Sequence, residues 1–177
     1  MHGIVHKTLK EYVVERADEA SWNAIVDRAG LEPSLYLPVS HYDDEEFEVI
    51  LETLSAVAVQ ERPQIERSFG RMLAPAFLST FNAHVRADWA LSDLLESLES
   101  ITNAVDAAAD ETSVPDLSTK REGEDVLVTY RSPRWYPDVA HGVLEGVVAE
   151  FDTDAAVVVV EDRDDAEGVC TFRVRLE

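Results

Sequence analysis

Val126-Leu127-Val128-Thr129-Tyr130-Arg131-Ser132-Pro133-Arg134 is where the chain changes its period. Val126, Val128 and Tyr130 alternate as a strand requires, with a turn expected over 122–125 just before them. Upstream, apolar residues recur at the helical spacing instead. Residues 1–30 read as helix, with Ile4, Val5, Leu9, Val13 and Val14 on one stripe, then Trp22, Ile25 and Val26 on a second that Gly30 closes. Residues 32–42 form a linker holding Pro33 and Pro38, after which Asp43 and Asp44 open a helix carrying Phe47, Ile50, Leu51 and Leu54. Pro63 sits in the first turn of the next, which bears Ile65, Phe69, Met72, Leu73, Phe77 and Leu78. A long helix from about Ser92 follows with Leu94, Leu95, Leu98, Ile101 and Val105, and a loop over 110–116 contains Pro115. Downstream of the quoted stretch, residues 137–151 read as helix, and 155–160 and 171–176 as strands joined by an acidic turn over 162–168. Helices thus come first and strands last, which predicts an α+β fold with a small antiparallel sheet near the carboxyl end. With no internal repeat and no long linker, residues 1–177 are expected to form one domain.

Composition bounds the function. Of 177 residues, 46% are hydrophobic, enough for a real core. The longest apolar runs, such as 155–160, fall far short of the roughly 20 residues that span a bilayer. The start lacks a signal-peptide stretch, so a cytoplasmic location and no membrane partner are expected. The single cysteine, Cys170, is expected to be a small core or strand residue. Thirty-six Asp and Glu against 15 Lys and Arg leave a net charge of -21, which disfavours nucleic acid and anionic lipid. Only Lys7, Lys10 and Lys120 are lysine. This acidic surface suits a halophilic interior, where the Debye length shrinks to about 3 Å and screens self-repulsion. The melting temperature is therefore expected to rise between about 0.1 M and about 2 M potassium chloride, and a flat profile would contradict the halophilic reading.

Chemistry concentrates at the end of the quoted stretch. On an extended chain, residues two apart face one side, so Tyr130, Ser132 and Arg134 would share a space. Two hydroxyls and a fork-shaped cation suit a carboxylate or phosphate. A polar strand face bonded to neighbouring loops is the plainer alternative. No GxSxG elbow, Walker loop or activated cysteine supports an enzyme.

The chain resembles, nearly end to end, the haem nitric oxide/oxygen binding (H-NOX, HNOB) domains, the family of the haem sensor of soluble guanylate cyclase. Met1-His2-Gly3-Ile4-Val5, Trp22-Asn23-Ala24-Ile25, Tyr42-Asp43-Asp44 and Phe69-Gly70-Arg71-Met72 are similar to family segments. More specific are Tyr130-x-Ser132-x-Arg134, which matches the family's YxSxR motif, and Gly142-Val143-Leu144-Glu145-Gly146 beyond it. The resemblance implies that Tyr130, Ser132 and Arg134 hold haem propionates and that Pro115 and Phe77 pack on the porphyrin. It also implies an H-NOX fold, a diatomic gas ligand such as NO, and a separate signalling partner.

One position departs from the family. Residues 94–102 align without a gap to the helix that carries the family's iron-ligating histidine, and Thr102 stands in its place. A neutral alcohol is a poor iron ligand. Of the five histidines, His84 is the expected substitute. His2 and His6, four apart, are expected at the surface, His41 in solvent, and His141 in a packing role. Two functions follow. The first is a stand-alone haem or tetrapyrrole sensor without the usual proximal histidine. The second is a haem-free interaction or regulatory module that keeps the fold and binds another anionic or apolar ligand.

Overall fold

The computed structural model describes residues 1–108, 114–160 and 167–176. Six α-helices and four strands are present among them: α1 (Gly3–Arg16), α2 (Glu19–Arg28), α3 (Asp44–Val57), α4 (Arg62–Thr80), α5 (Leu91–Ala108), β1 (Asp116–Glu122), β2 (Asp125–Arg131), α6 (Pro137–Glu150), β3 (Ala156–Val159) and β4 (Val169–Arg175). A short 3-10 turn, Asn82–His84, follows α4. The expected α+β class holds.

Helix starts follow the local chemistry of the sequence. Asp43 Oδ1 accepts the Glu45 N–H at 3.0 Å, and Asp44, Glu45 and Glu46 complement the positive end of α3. Glu61 and Gln64 form a reciprocal capping box on α4, with Pro63 in its first turn. The two helical stripes expected over 1–30 are two helices: α1 stops at Arg16, and Asp18 starts α2 by accepting the Ser21 N–H at 2.7 Å.

The sheet is antiparallel, in the order β1-β2-β4-β3. β1 corrects the sequence reading, which passed from the proline loop directly to β2. Asp116–Glu122 is polar along most of its length and sits at the sheet edge, so only Leu117 gives an inward apolar signal. The loop expected over 110–116 and the turn expected over 162–168 lie partly outside the described residues.

Two apolar clusters form the core. One unites α1, α2, α3 and the start of α4 around Phe47 and Phe69, and the other joins α5, α6 and the sheet around Leu94, Val128 and Phe172. Cys170 belongs to the second, buried on β4 as expected. Helices α4 and α6 tie the clusters together by approaching almost backbone to backbone. A Cβ on Gly142 would lie 2.0 Å from the Arg67 carbonyl oxygen, and one on Gly70 would lie 2.2 Å from that of Val139. Glu145 seals the same joint by accepting from Arg67 and, at 2.7 Å, from Arg71. The two short glycine-bearing segments noted in the sequence are therefore two halves of one helix crossing. That crossing fixes the walls of the cavity described next.

Candidate functional site

An apolar cavity of about 290 Å³ opens between α1, α4, α5, α6 and the inner face of the sheet. Its walls are almost wholly hydrocarbon: Leu98, Ile101 and Val105 from α5, Leu73 and Phe77 from α4, Val143 and Leu144 from α6. Six residues singled out from sequence line it together: Phe77, Thr102, Pro115, Tyr130, Ser132 and Arg134. His84 is exposed on the turn after α4 and is absent from the lining.

The polar end of the cavity is built by a turn rather than by an extended strand. β2 ends at Arg131, and Ser132 leaves it with its N–H donated to the Gly168 carbonyl at 3.1 Å. Gly168 has φ +65°, and a Cβ there would lie 2.6 Å from the Ser132 carbonyl oxygen, so this clamp requires glycine. Ser132 Oγ then accepts the Arg134 N–H at 3.1 Å, which bends the chain two residues on. Tyr130 Oη crosses the bend to donate to the Arg134 carbonyl at 2.7 Å. Side chains that an extended chain would have aligned are instead gathered by hydrogen bonds among themselves.

Arg134 is anchored from behind. Its Nη1 donates to Asp44 Oδ1 at 2.8 Å, and the same oxygen lies 2.6 Å from the amino-terminal nitrogen of Met1. Burial alone would raise the Asp44 carboxyl, but hydrogen bonds and charge from Met1 and Arg134 outweigh it and hold the carboxyl below its ordinary range. Beside it, Tyr136 Oη donates to Glu48 Oε2 at 2.6 Å, and Glu48 pairs with Arg62 at 2.7 Å. Burial pushes the Tyr130 phenol up, so it stays protonated and remains a donor at neutral pH.

This arrangement suits an apolar molecule that carries an acid group at one end. The hydrocarbon walls accept the body, while the Ser132 hydroxyl and the Arg134 guanidinium face the acid group, and the Tyr130 hydroxyl holds the bend between them by its bond to the Arg134 carbonyl. A tetrapyrrole with propionates fits that description. Its metal is not provided for by Thr102, whose Oγ1 donates within its own helix to the carbonyls of Leu98 (3.0 Å) and Glu99 (3.1 Å). Among the described residues, no group of three or more His, Cys, Asp and Glu is placed to hold a metal ion.

The histidines sit differently from the expectation for two of them. His6 is fully buried rather than at the surface, ringed by Tyr36, Tyr42 and Phe47, with neither ring nitrogen hydrogen-bonded. His2 lines the cavity. His41 is exposed, and His141 packs on Phe172 with its Nε2 3.4 Å from the Val157 carbonyl oxygen. The Asp44 partner of Arg134, and the Met1 amino group that shares that carboxylate, went unread in the sequence. Asp44 carried only a helix-start signal, and nothing local marks a contact across 90 residues.

Residues 2–159 match the haem-NO-binding (HNOB) family. The chain is 24% identical over 175 residues to soluble guanylate cyclase gcy-32 of Caenorhabditis elegans, covering 90% of this chain. It spans about a quarter (24%) of that protein's length. An H-NOX protein from S. oneidensis in the Fe(II) ligation state superposes with a TM-score of 0.88 at 20% identity, over 100% of this chain and 96% of the other. A mutant of T. tengcongensis H-NOX gives 0.88 at 21% identity, over 100% and 98%.

Proposed function

The chain belongs to the haem-NO-binding family, and from that premise we propose that its cavity binds haem and serves as a gas sensor for a separate signalling protein. Domains of this family are haem-binding sensors of diatomic gases and regulate partner enzymes rather than catalyse. One observation carries the reading for this chain: Tyr130, Ser132 and Arg134 converge at the edge of a cavity that is otherwise hydrocarbon. Bound haem would supply an iron able to take NO. Ser132 and Arg134 would hold the propionates, Tyr130 would join them by releasing the Arg134 carbonyl it bonds here, and Phe77 and Pro115 would pack against the ring. The hydrocarbon walls exclude water, which strengthens the Arg134 contact in a low-dielectric setting.

The Asp44 link gives a route from site to surface. A carboxylate held by Arg134 would compete with Asp44, the first residue of α3, which also holds the amino terminus ahead of α1. Ligand-dependent loosening of this chain of charges would be felt at the packing of α1, α3 and α4.

A second reading, a haem-free regulatory module binding another anionic or apolar ligand, is favoured by one specific feature. Thr102 is satisfied inside α5 and asks for no metal. Titration of the apo-protein with haem in molar salt separates the two. Saturation at one equivalent supports the sensor, and a linear, unsaturable response supports the module.

A further inference from the structure

We propose that His2 is the residue through which this cavity ligates haem iron, from the α1 wall rather than from α5. The inference rests on haem being the cavity's ligand.

Iron in an apolar slot needs a protein donor. Thr102 spends its hydroxyl on the Leu98 and Glu99 carbonyls. Tyr130 and Tyr136 also line the cavity, yet each phenol is committed, to the Arg134 carbonyl and to Glu48 respectively. Burial pushes both phenols up, away from the phenolate that would bind iron. Among the described residues, His2 is the one imidazole in the lining.

Its setting suits coordination. His2 is the N-cap of α1, one turn before Val5, which lines the same wall. The ring stands edge-on to Phe81 at 5.7 Å and to His41 at 5.5 Å between centroids, and His2 and His41 form an isolated antiparallel bridge. These neighbours hold the ring at the cavity wall. Nδ1 accepts the Ile4 N–H at 3.3 Å, a long bond. With Nδ1 accepting, the ring proton sits on Nε2, so ligation through Nε2 would require the proton to move to Nδ1 and this long bond to be given up.

The α1 and α5 walls are independent elements. α1 packs on α2 and α4, whereas α5 packs on β1 and β2. Moving the ligand from α5 to α1 therefore makes gas binding act on α1 and, through Met1 and Asp44, on α3.

The test uses the full chain reconstituted with haem in molar salt, with His2→Ala, His2→Asn and His84→Ala alongside. Asparagine preserves an N-cap acceptor, so that variant keeps α1 capped. We expect imidazole-ligated ferrous spectra and an iron–imidazole stretch by resonance Raman in the unmodified protein and in His84→Ala. His2→Ala and His2→Asn should lose both and bind haem about tenfold or more weakly, and added imidazole should restore the spectrum. An unchanged imidazole signature in a folded His2→Asn protein, or haem bound by the unmodified protein with no imidazole signature, overturns the assignment of His2 and leaves the haem site standing. Failure of the folded, unmodified protein to take up haem overturns both.

Discussion

Arg134→Ala is expected to weaken haem binding by about ten- to a hundredfold, the equivalent of the roughly 1.5–3 kcal/mol carried by hydrogen bonds to a charged group. Stability should fall far less. Asp44 keeps the Met1 amino group as a partner when the guanidinium is removed, and the Arg134 side chain retains 21% of its exposure in the fold. Ser132 and Tyr130 bond to the backbone of residue 134, and those contacts survive the substitution. A haem titration followed by absorbance, paired with a thermal melt, separates the two effects. Equal affinities for Arg134→Ala and the unmodified protein would remove the propionate cradle from the account.

The second large effect is expected from Thr102→His. The position is half-buried on α5 and faces a cavity of about 290 Å³, so an imidazole has room without displacing the core. In a haem-binding cavity the substitution adds a nitrogen ligand on the α5 side and raises haem affinity by about tenfold or more. With His2 also available, the ferric spectrum would differ from that of a protein offering a single imidazole. Adding His2→Ala to Thr102→His returns it to a single imidazole. In a haem-free module the new ring finds no partner and costs about 1–3 kcal/mol of stability. A folded Thr102→His protein that takes up no haem would therefore favour the module.

The helical half was legible because its signals are local. Asp43 and Pro63 each mark a helix start within a few residues of the bond it forms or the turn it opens. β1 was not legible, because an edge strand with one inward apolar residue has almost no periodicity to read. At the site, residue types and spacing suggested that Tyr130, Ser132 and Arg134 share a space suited to a carboxylate or phosphate, and the three do line one cavity. The mechanism of convergence differed: an extended chain was expected, and a Ser132 turn clamped by Gly168 was found. His2 and His6 could not be told apart by sequence, since they lie four residues apart at the start of one helix. Only the packing of Phe81 against one, and of Tyr36, Tyr42 and Phe47 around the other, separates a cavity wall from a sealed core. The contact of Arg134 with Asp44 is long-range and leaves no local trace.

The central claim is that the cavity between α1, α4, α5, α6 and the sheet is a haem site. Its most direct test is the absorption spectrum of the full chain, purified in molar salt from haem-sufficient cells and then reconstituted with one equivalent of haem. The account predicts a Soret band at one haem per chain that shifts on exposure to NO. A folded protein with no Soret band after reconstitution would contradict it.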